Sequence, residues 1–347
     1  MTLPHPTAPR KFRRLGLYGP FALLALLALA WSAGWLWLRA ETLGRMDGAR
    51  RTLAARGGEL SWTSRSVSGF PFRLDVKLAG IALREASGSA ITAPMLNAEA
   101  PVFAPSHWVA VAPDGVVIAR RIGGNLVVRA KVLRASFSQP RDHPPRVSVE
   151  GIGLTFTAEP GANPFFVSAA QAFHLHTRAG PGDQGAVYIA LGRATAPLTG
   201  LMGRIAEGGP VSLTLDAIYS HAAALGGADW RGAVDAWRRA GGALEVRSLR
   251  LQAGAALLDA RSGTLTVGDD GRLRGSLAVS LRQAPRVLAV MGEAHAIAPE
   301  AARASATVVG ARSQGAGQGA VATATLDFQA GQTTLGPAAI GPAPKVY

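Results

Sequence analysis

The 347-residue sequence contains no cysteine. That excludes disulfides, thiolate metal sites and a cysteine nucleophile, and with them the acylated N-terminus of a bacterial lipoprotein. Aromatic residues are scarce, at 6% of the chain, so a core must be assembled mostly from Leu, Val and Ala. Acidic residues are also few: 22 Asp and Glu stand against 36 Lys and Arg, a formal net charge of +14. A basic balance points first to nucleic acid or anionic lipid. The charge is scattered, however, and pairs such as Arg120-Arg121 and Arg238-Arg239 are not interleaved with aromatics as a nucleic-acid module requires. No nucleic-acid partner is expected.

Catalytic motifs are missing in the same way. There is no G-x-S-x-G elbow, no H-E-x-x-H and no Walker A loop. Gly315, Gly317 and Gly319 lead into a strand-like run rather than a helix N-terminus, so they read as a flexible loop and not a phosphate cradle. His174 and His176 share one face of a strand-like run, but no third ligand lies near them in sequence. Asp269 and Asp270 read as turn residues, and the Trp230/Trp237 stripe reads as core. No catalytic residue, metal ligand or cofactor is expected, and no enzyme activity.

What is present begins with an apolar run. Leu15 to Leu38 carries no charge and would form about 36 Å of helix at 1.5 Å per residue. A bilayer core is about 30 Å thick, so the run spans it with some tilt. Trp31, Trp35 and Trp37 gather at its far end, where indole rings favour the interface. The cluster Arg10, Lys11, Arg13 and Arg14 precedes it, which the positive-inside rule places in the cytoplasm. A cleaved signal peptide has a shorter apolar region and a small-x-small site. Here only Ala28, Ala30 and Ala33 offer a weak one, so the run reads as a signal-anchor. The expected organisation is a basic cytoplasmic tail at 1–14, a transmembrane helix at 15–38, a juxtamembrane helix at 39–58 and a β-rich domain at 59–347.

From Leu60 onward the texture is one of short alternating runs bounded by Gly, Pro, Asp or Asn. Phe70 to Leu83 puts Phe72, Leu74, Val76 and Leu78 on one face and Arg73, Asp75 and Lys77 on the other, the period of a half-buried strand. Gly80 within it is a candidate bulge. Arg272 to Arg282 repeats the pattern, with Leu277 and Val279 on its apolar face, and Asp269-Asp270-Gly271 joins it to Gly263–Val267 as a hairpin. Further strands are expected at Gly115–Ala119, Leu126–Leu133, Arg146–Phe156, Ala186–Leu191, Val211–Tyr219, Leu244–Ala253 and Ala320–Phe328. Helical interruptions are expected at Pro197–Ala206, at Asp229–Arg239 with Asp229 as N-cap, at Pro285–Met291 and at Pro299–Ala304. Many strands joined by short turns, without strand–helix alternation, predict a mainly β, antiparallel fold with a few short helices behind one N-terminal transmembrane helix.

Four elements carry a resemblance: the apolar span Leu15–Leu38, the strand entry Gly69-Phe70-Pro71-Phe72-Arg73, the stretch Trp230–Val246 and the C-terminal Leu335–Pro344. In these the chain resembles a proteobacterial domain-of-unknown-function family, number twenty-one twenty-five, over nearly its whole length. That family supplies no catalytic residues. More loosely, the chain is similar to AsmA-like envelope proteins, which implies a long curved sheet whose concave apolar face handles lipid. The resemblance implies an inner-membrane protein with the bulk of its chain in the periplasm, whose partners are membrane lipid and other envelope proteins. The expected role is non-catalytic, with lipid held in an apolar sheet trough lined by Phe72, Leu74, Val76, Leu78, Leu277 and Val279. The alternative is a structural or scaffolding protein whose apolar face is closed into its own β core.

Overall fold

The computed structural model describes residues 15–227, 229–293, 299–300, 302–303, 321–336 and 338–347. The expected basic tail at 1–14, the expected loop of Gly315, Gly317 and Gly319, and part of the expected Pro299–Ala304 helix lie outside them.

The apolar run and the juxtamembrane stretch form one uninterrupted helix, α1 (Leu15–Ala55). It stops where Gly57, at φ +79°, lets Gly57 N–H reach the Ala54 carbonyl and Gly58 N–H the Leu53 carbonyl. Every described side chain from Tyr18 to Ala30 is exposed, which suits a segment long and apolar enough to cross a membrane.

The rest is one antiparallel meander. Its first strands are β1 (Glu59–Ser61), β2 (Ser64–Ser68), β3 (Arg73–Arg84), β4 (Ala90–Pro101), β5 (Trp108–Val111), β6 (Val116–Arg120), β7 (Gly124–Arg129), β8 (Val132–Ser138) and β9 (Arg146–Ala158). It continues through β10 (Ala169–Ala179), β11 (Gln184–Ala194), β12 (Val211–Ser220), β13 (Leu244–Ala253), β14 (Ala256–Val267), β15 (Leu273–Arg282), β16 (Val321–Gln329), β17 (Gln332–Leu335) and β18 (Ala338–Pro342). Three rungs are broken strands. Both β1 and β2 pair with β3, both β5 and β6 with β4, and both β7 and β8 with β9. Beyond β9 each strand pairs with the next.

The breaks line up across the sheet and crease it. Gly80 keeps the β3–β4 register but takes φ +57°, and Gly153 in β9 takes φ +62°, both in the left-handed region that a side chain resists. Pro94 of β4 sits between the segment paired with β6 and the segment paired with β5. Its missing N–H is harmless there, because the ladder has a gap at that point. This crease is why β4 escaped the sequence reading: Pro94 and Pro101 inside a run argue against a strand.

Twist does the rest of the shaping. Eight neighbour-to-neighbour steps separate β4 from β14. At roughly 20–25° per step this amounts to about half a turn. The sheet also curls, so that the Glu85–Ser89 turn of the early strands shares a cleft with Asp269–Asp270 of the late ones and with Lys345–Tyr347.

Helices α2 (Gly200–Ala206), α3 (Trp230–Arg239) and α4 (Ala284–Glu293) interrupt the meander near the expected places. Asp229 caps α3, accepting from Gly232 N–H at 2.7 Å. The tryptophan stripe on α3 needs correcting. Trp237 is buried and donates to the Ser220 carbonyl, whereas Trp230 is half-exposed and donates to the Val346 carbonyl.

Candidate functional site: a groove between the long helix and the sheet

Trp31, Trp35, Arg39, Leu43, Asp47 and Arg50 recur at three- and four-residue spacing and therefore share one face of α1. That face meets the first strands. The Trp31 indole N–H donates to the Pro71 carbonyl at 2.9 Å, and the Trp35 indole N–H to the Arg73 carbonyl at 2.8 Å. The Trp35 ring meets Phe70 edge-on, with centroids 5.6 Å apart. Arg39 Nε donates to the Val67 carbonyl at 3.1 Å. Further along, the Arg65 guanidinium donates twice to the Asp47 carboxylate, at 2.7 and 2.9 Å, and both Arg50 and Arg65 lie over the Trp62 ring. Asp47 lies beyond the apolar run, and its hydrogen bonds from Arg65 hold its carboxyl below the ordinary aspartate range. Two of the three tryptophans expected to face the lipid interface thus have their indole N–H groups committed to the domain.

The Gly69–Arg73 element is the turn between β2 and β3, and it is what Trp31 and Trp35 grip. Arg73 N–H closes it onto the Gly69 carbonyl at 2.9 Å. Gly69 has φ +101°, and a Cβ there would stand 2.8 Å from both the Arg73 carbonyl and the Asp75 carboxylate, so the position admits only glycine. Arg73 points to the opposite face, toward Glu99 at 3.3 Å and Asp75 at 3.8 Å.

The six expected trough residues do not share one surface. Leu74, Val76 and Leu78 are buried in a cluster with Trp35 and Val67, against which Leu38, Leu43, Met46 and Trp108 pack. Phe72 does not join them: it precedes the strand, on the turn, and is exposed. The expected strand starts three residues too early, which put Phe72 on the wrong side. Leu277 and Val279 lie elsewhere, buried with Val246, Ala260, Leu265, Leu326 and Phe328.

Between α1 and β3–β5 a groove of about 440 Å³ stays open. Trp37, Leu38 and Met46 wall it on the helix, Val76 and Leu78 on β3, and Trp108 on β5. Its helix wall runs from Trp37 to Ala49, about 18 Å at 1.5 Å per residue. It starts where the apolar run ends. The polar part of its lining includes Glu41 and Arg45, paired with each other at 2.8 Å. The lining is mostly apolar, with Glu41, Thr42 and Arg45 as its polar side chains.

The sequence model of a bacterial family described as an uncharacterised protein conserved in bacteria, DUF2125, matches residues 35–344. The chain belongs to this family. The match opens at Trp35, so in DUF2125 terms the sheet-facing half of α1 is part of the domain. Neither a curated protein nor a solved structure matches the chain.

Two other places carry less. His174 and His176 stack along β10 with centroids 6.2 Å apart, and His176 stacks on Tyr188 of β11. Among the described residues no three His, Cys, Asp or Glu side chains gather as a metal site. The cleft beside Tyr347 is lined by charges of both signs, including Glu85, Arg121, Asp270 and Lys345.

Proposed function

We propose that this DUF2125 chain is a single-pass inner-membrane protein with its domain in the periplasm, which takes an acyl chain of a membrane lipid into the groove between α1 and β3–β5 without catalysing a reaction. The observation that carries this reading is the groove's continuity with the membrane-crossing length of helix: the same α1 that emerges from hydrocarbon forms one apolar wall. A lipid tail can pass from bilayer to protein without crossing water, so the transfer forfeits little of the hydrophobic free energy of about 25 cal/mol per Å² that full exposure would remove. The basic cluster before Leu15 supports a cytoplasmic N-terminus. The Glu41–Arg45 pair suits a zwitterionic or anionic headgroup at the rim.

The scaffold reading has its own support in the second half of the sheet. Leu277 and Val279 are fully packed by neighbouring strands, so that region is a closed core and contributes stiffness rather than a binding surface.

The test fills the groove. Ala98 on β4 and Ala49 on α1 both line it, and Ala49 is exposed on the helix. The full chain is extracted in mild detergent and analysed by native mass spectrometry with lipid extraction. Wild type should retain phospholipid, and Ala98→Phe and Ala49→Phe should each lose it while keeping the wild-type melting temperature. Equal lipid in wild type and in both folded variants would overturn the groove reading.

A further inference from the structure

The turn that Trp31 and Trp35 grip presents its phenyl rings outward. Phe70 is 56% exposed, Phe72 67%, and Phe103 on the next turn 82%. They form one rim: Val102 N–H donates to the Phe72 carbonyl at 3.0 Å, and Arg73 stands opposite Pro101. Three exposed phenyl groups together on a chain so poor in aromatics call for a partner.

The helix says what that partner is, given the reading that α1 spans a membrane. Charge before Leu15 limits the apolar length on the N-terminal side. From Leu15 to Ala30, before the first contact with the sheet at Trp31, α1 supplies about 24 Å at 1.5 Å per residue. A hydrocarbon core needs about 30 Å. The shortfall of about 6 Å must come from the next turn of α1, where Trp31 and Trp35 are already bonded to the phenyl-bearing turn. Anything at the level of Trp31 to Trp35 therefore sits at the outer edge of the hydrocarbon. Arg73 and Glu99, paired at 3.3 Å, follow immediately inward along β3 and β4, a charged layer at headgroup level behind an apolar one.

We infer that the rim of Phe70, Phe72 and Phe103 is embedded in the lipid–water interface of the membrane that α1 crosses. The sheet then rests on the bilayer in a fixed orientation instead of swinging from a tether. Family membership leaves the Gly-Phe-Pro-Phe-Arg element without a role, and this gives it one: the glycine and the two tryptophan bonds set the turn, and the turn sets the depth.

The absence of cysteine makes the test direct. Single-cysteine variants of the full chain, Phe72→Cys and Phe103→Cys, are spin-labelled in vesicles of phosphatidylcholine and phosphatidylglycerol. Collision with oxygen is compared with collision with a water-soluble nickel chelate. Leu23→Cys is the mid-span standard. Ile122→Cys, 77% exposed on the turn between β6 and β7, is the water standard. All four positions are exposed, so folding is retained and is checked by melting temperature. Labels at 72 and 103 should favour oxygen over nickel, between the two standards. Labels at 72 and 103 as nickel-accessible as at 122 overturn the inference, with a lipid-embedded label at 23 leaving the span itself intact. Labels shielded from both quenchers would mean a protein partner and overturn it too. A water-exposed label at 23 would remove the spanning reading and the inference together. Groove filling by Ala98→Phe should leave all four readings unchanged.

Discussion

Replacing Trp35 by alanine should unlock α1 from the sheet, whereas replacing Trp37 should not. The two residues lie two positions apart at the same end of one apolar run, so composition and depth treat them alike. The structure does not. Trp35 is 6% exposed and Trp37 65%. Trp35 fills the space over Val67, Leu74, Val76 and Leu78, meets Phe70 edge-on and donates to the Arg73 carbonyl. Large-to-small replacement of a buried tryptophan costs about 3–5 kcal/mol, including its cavity. Trp35→Phe keeps most of the ring and leaves the Arg73 carbonyl without its donor, a loss of about 1–3 kcal/mol. Trp37→Ala removes an exposed ring and should stay within about 0.5 kcal/mol. The assay is denaturant unfolding of the full chain in mild detergent, followed by far-ultraviolet circular dichroism. The expected order is Trp37→Ala near wild type, Trp35→Phe intermediate and Trp35→Ala lowest. Equal midpoints for the two alanine variants would refute the docking of α1 on β2–β4.

Strand phase gives a second contrast. Leu74→Asp buries an unpaired carboxylate under α1 and should abolish folding, while Phe72→Asp should fold normally yet release the rim from lipid; thermal melts beside vesicle accessibility distinguish them. The Asp47–Arg65 link has a defined pH dependence. Because the folded carboxyl titrates below the ordinary value near 3.8, its stabilisation is fully present above that pH and is lost as pH falls through the lowered folded value. The melting-temperature gap between wild type and Asp47→Asn should therefore be constant near neutrality and close only below about pH 3.8; a gap that closes between pH 5 and 7 would contradict the assignment.

Much of the fold was legible because its signals are local. The uncharged run, the alternation in β3, β13 and β15, and the Asp229 cap are each written within a dozen residues. β4 was hidden by two prolines whose tolerance depends on a gap in the neighbouring ladder. The split of Leu126–Leu133 into β7 and β8 depends on the same crease. Phe72 falls on the expected buried face because alternation cannot say where a strand begins, and Phe72 belongs to a turn held by a helix 40 residues away in sequence. The groove was the least legible feature. An apolar run made for lipid has no polar side to show which face meets protein. The one available clue was the four-residue spacing of Trp31, Trp35 and Arg39, in which an arginine follows two tryptophans along a single stripe.

The groove reading stands or falls most directly on where a lipid tail lies. The full chain can be placed in vesicles containing a phospholipid with a photoactivatable diazirine near the end of one acyl chain, irradiated, and digested for peptide mass spectrometry. Adducts along Tyr18–Ala30 are expected from the membrane span alone. The decisive peptides carry Val76 and Leu78 of β3 and Ala98 of β4, which line the groove away from the span. Adducts on those strands, abolished by Ala98→Phe, are the predicted result. Labelling confined to α1 and the phenyl rim, with β3 and β4 unmodified, would contradict a lipid tail in the groove.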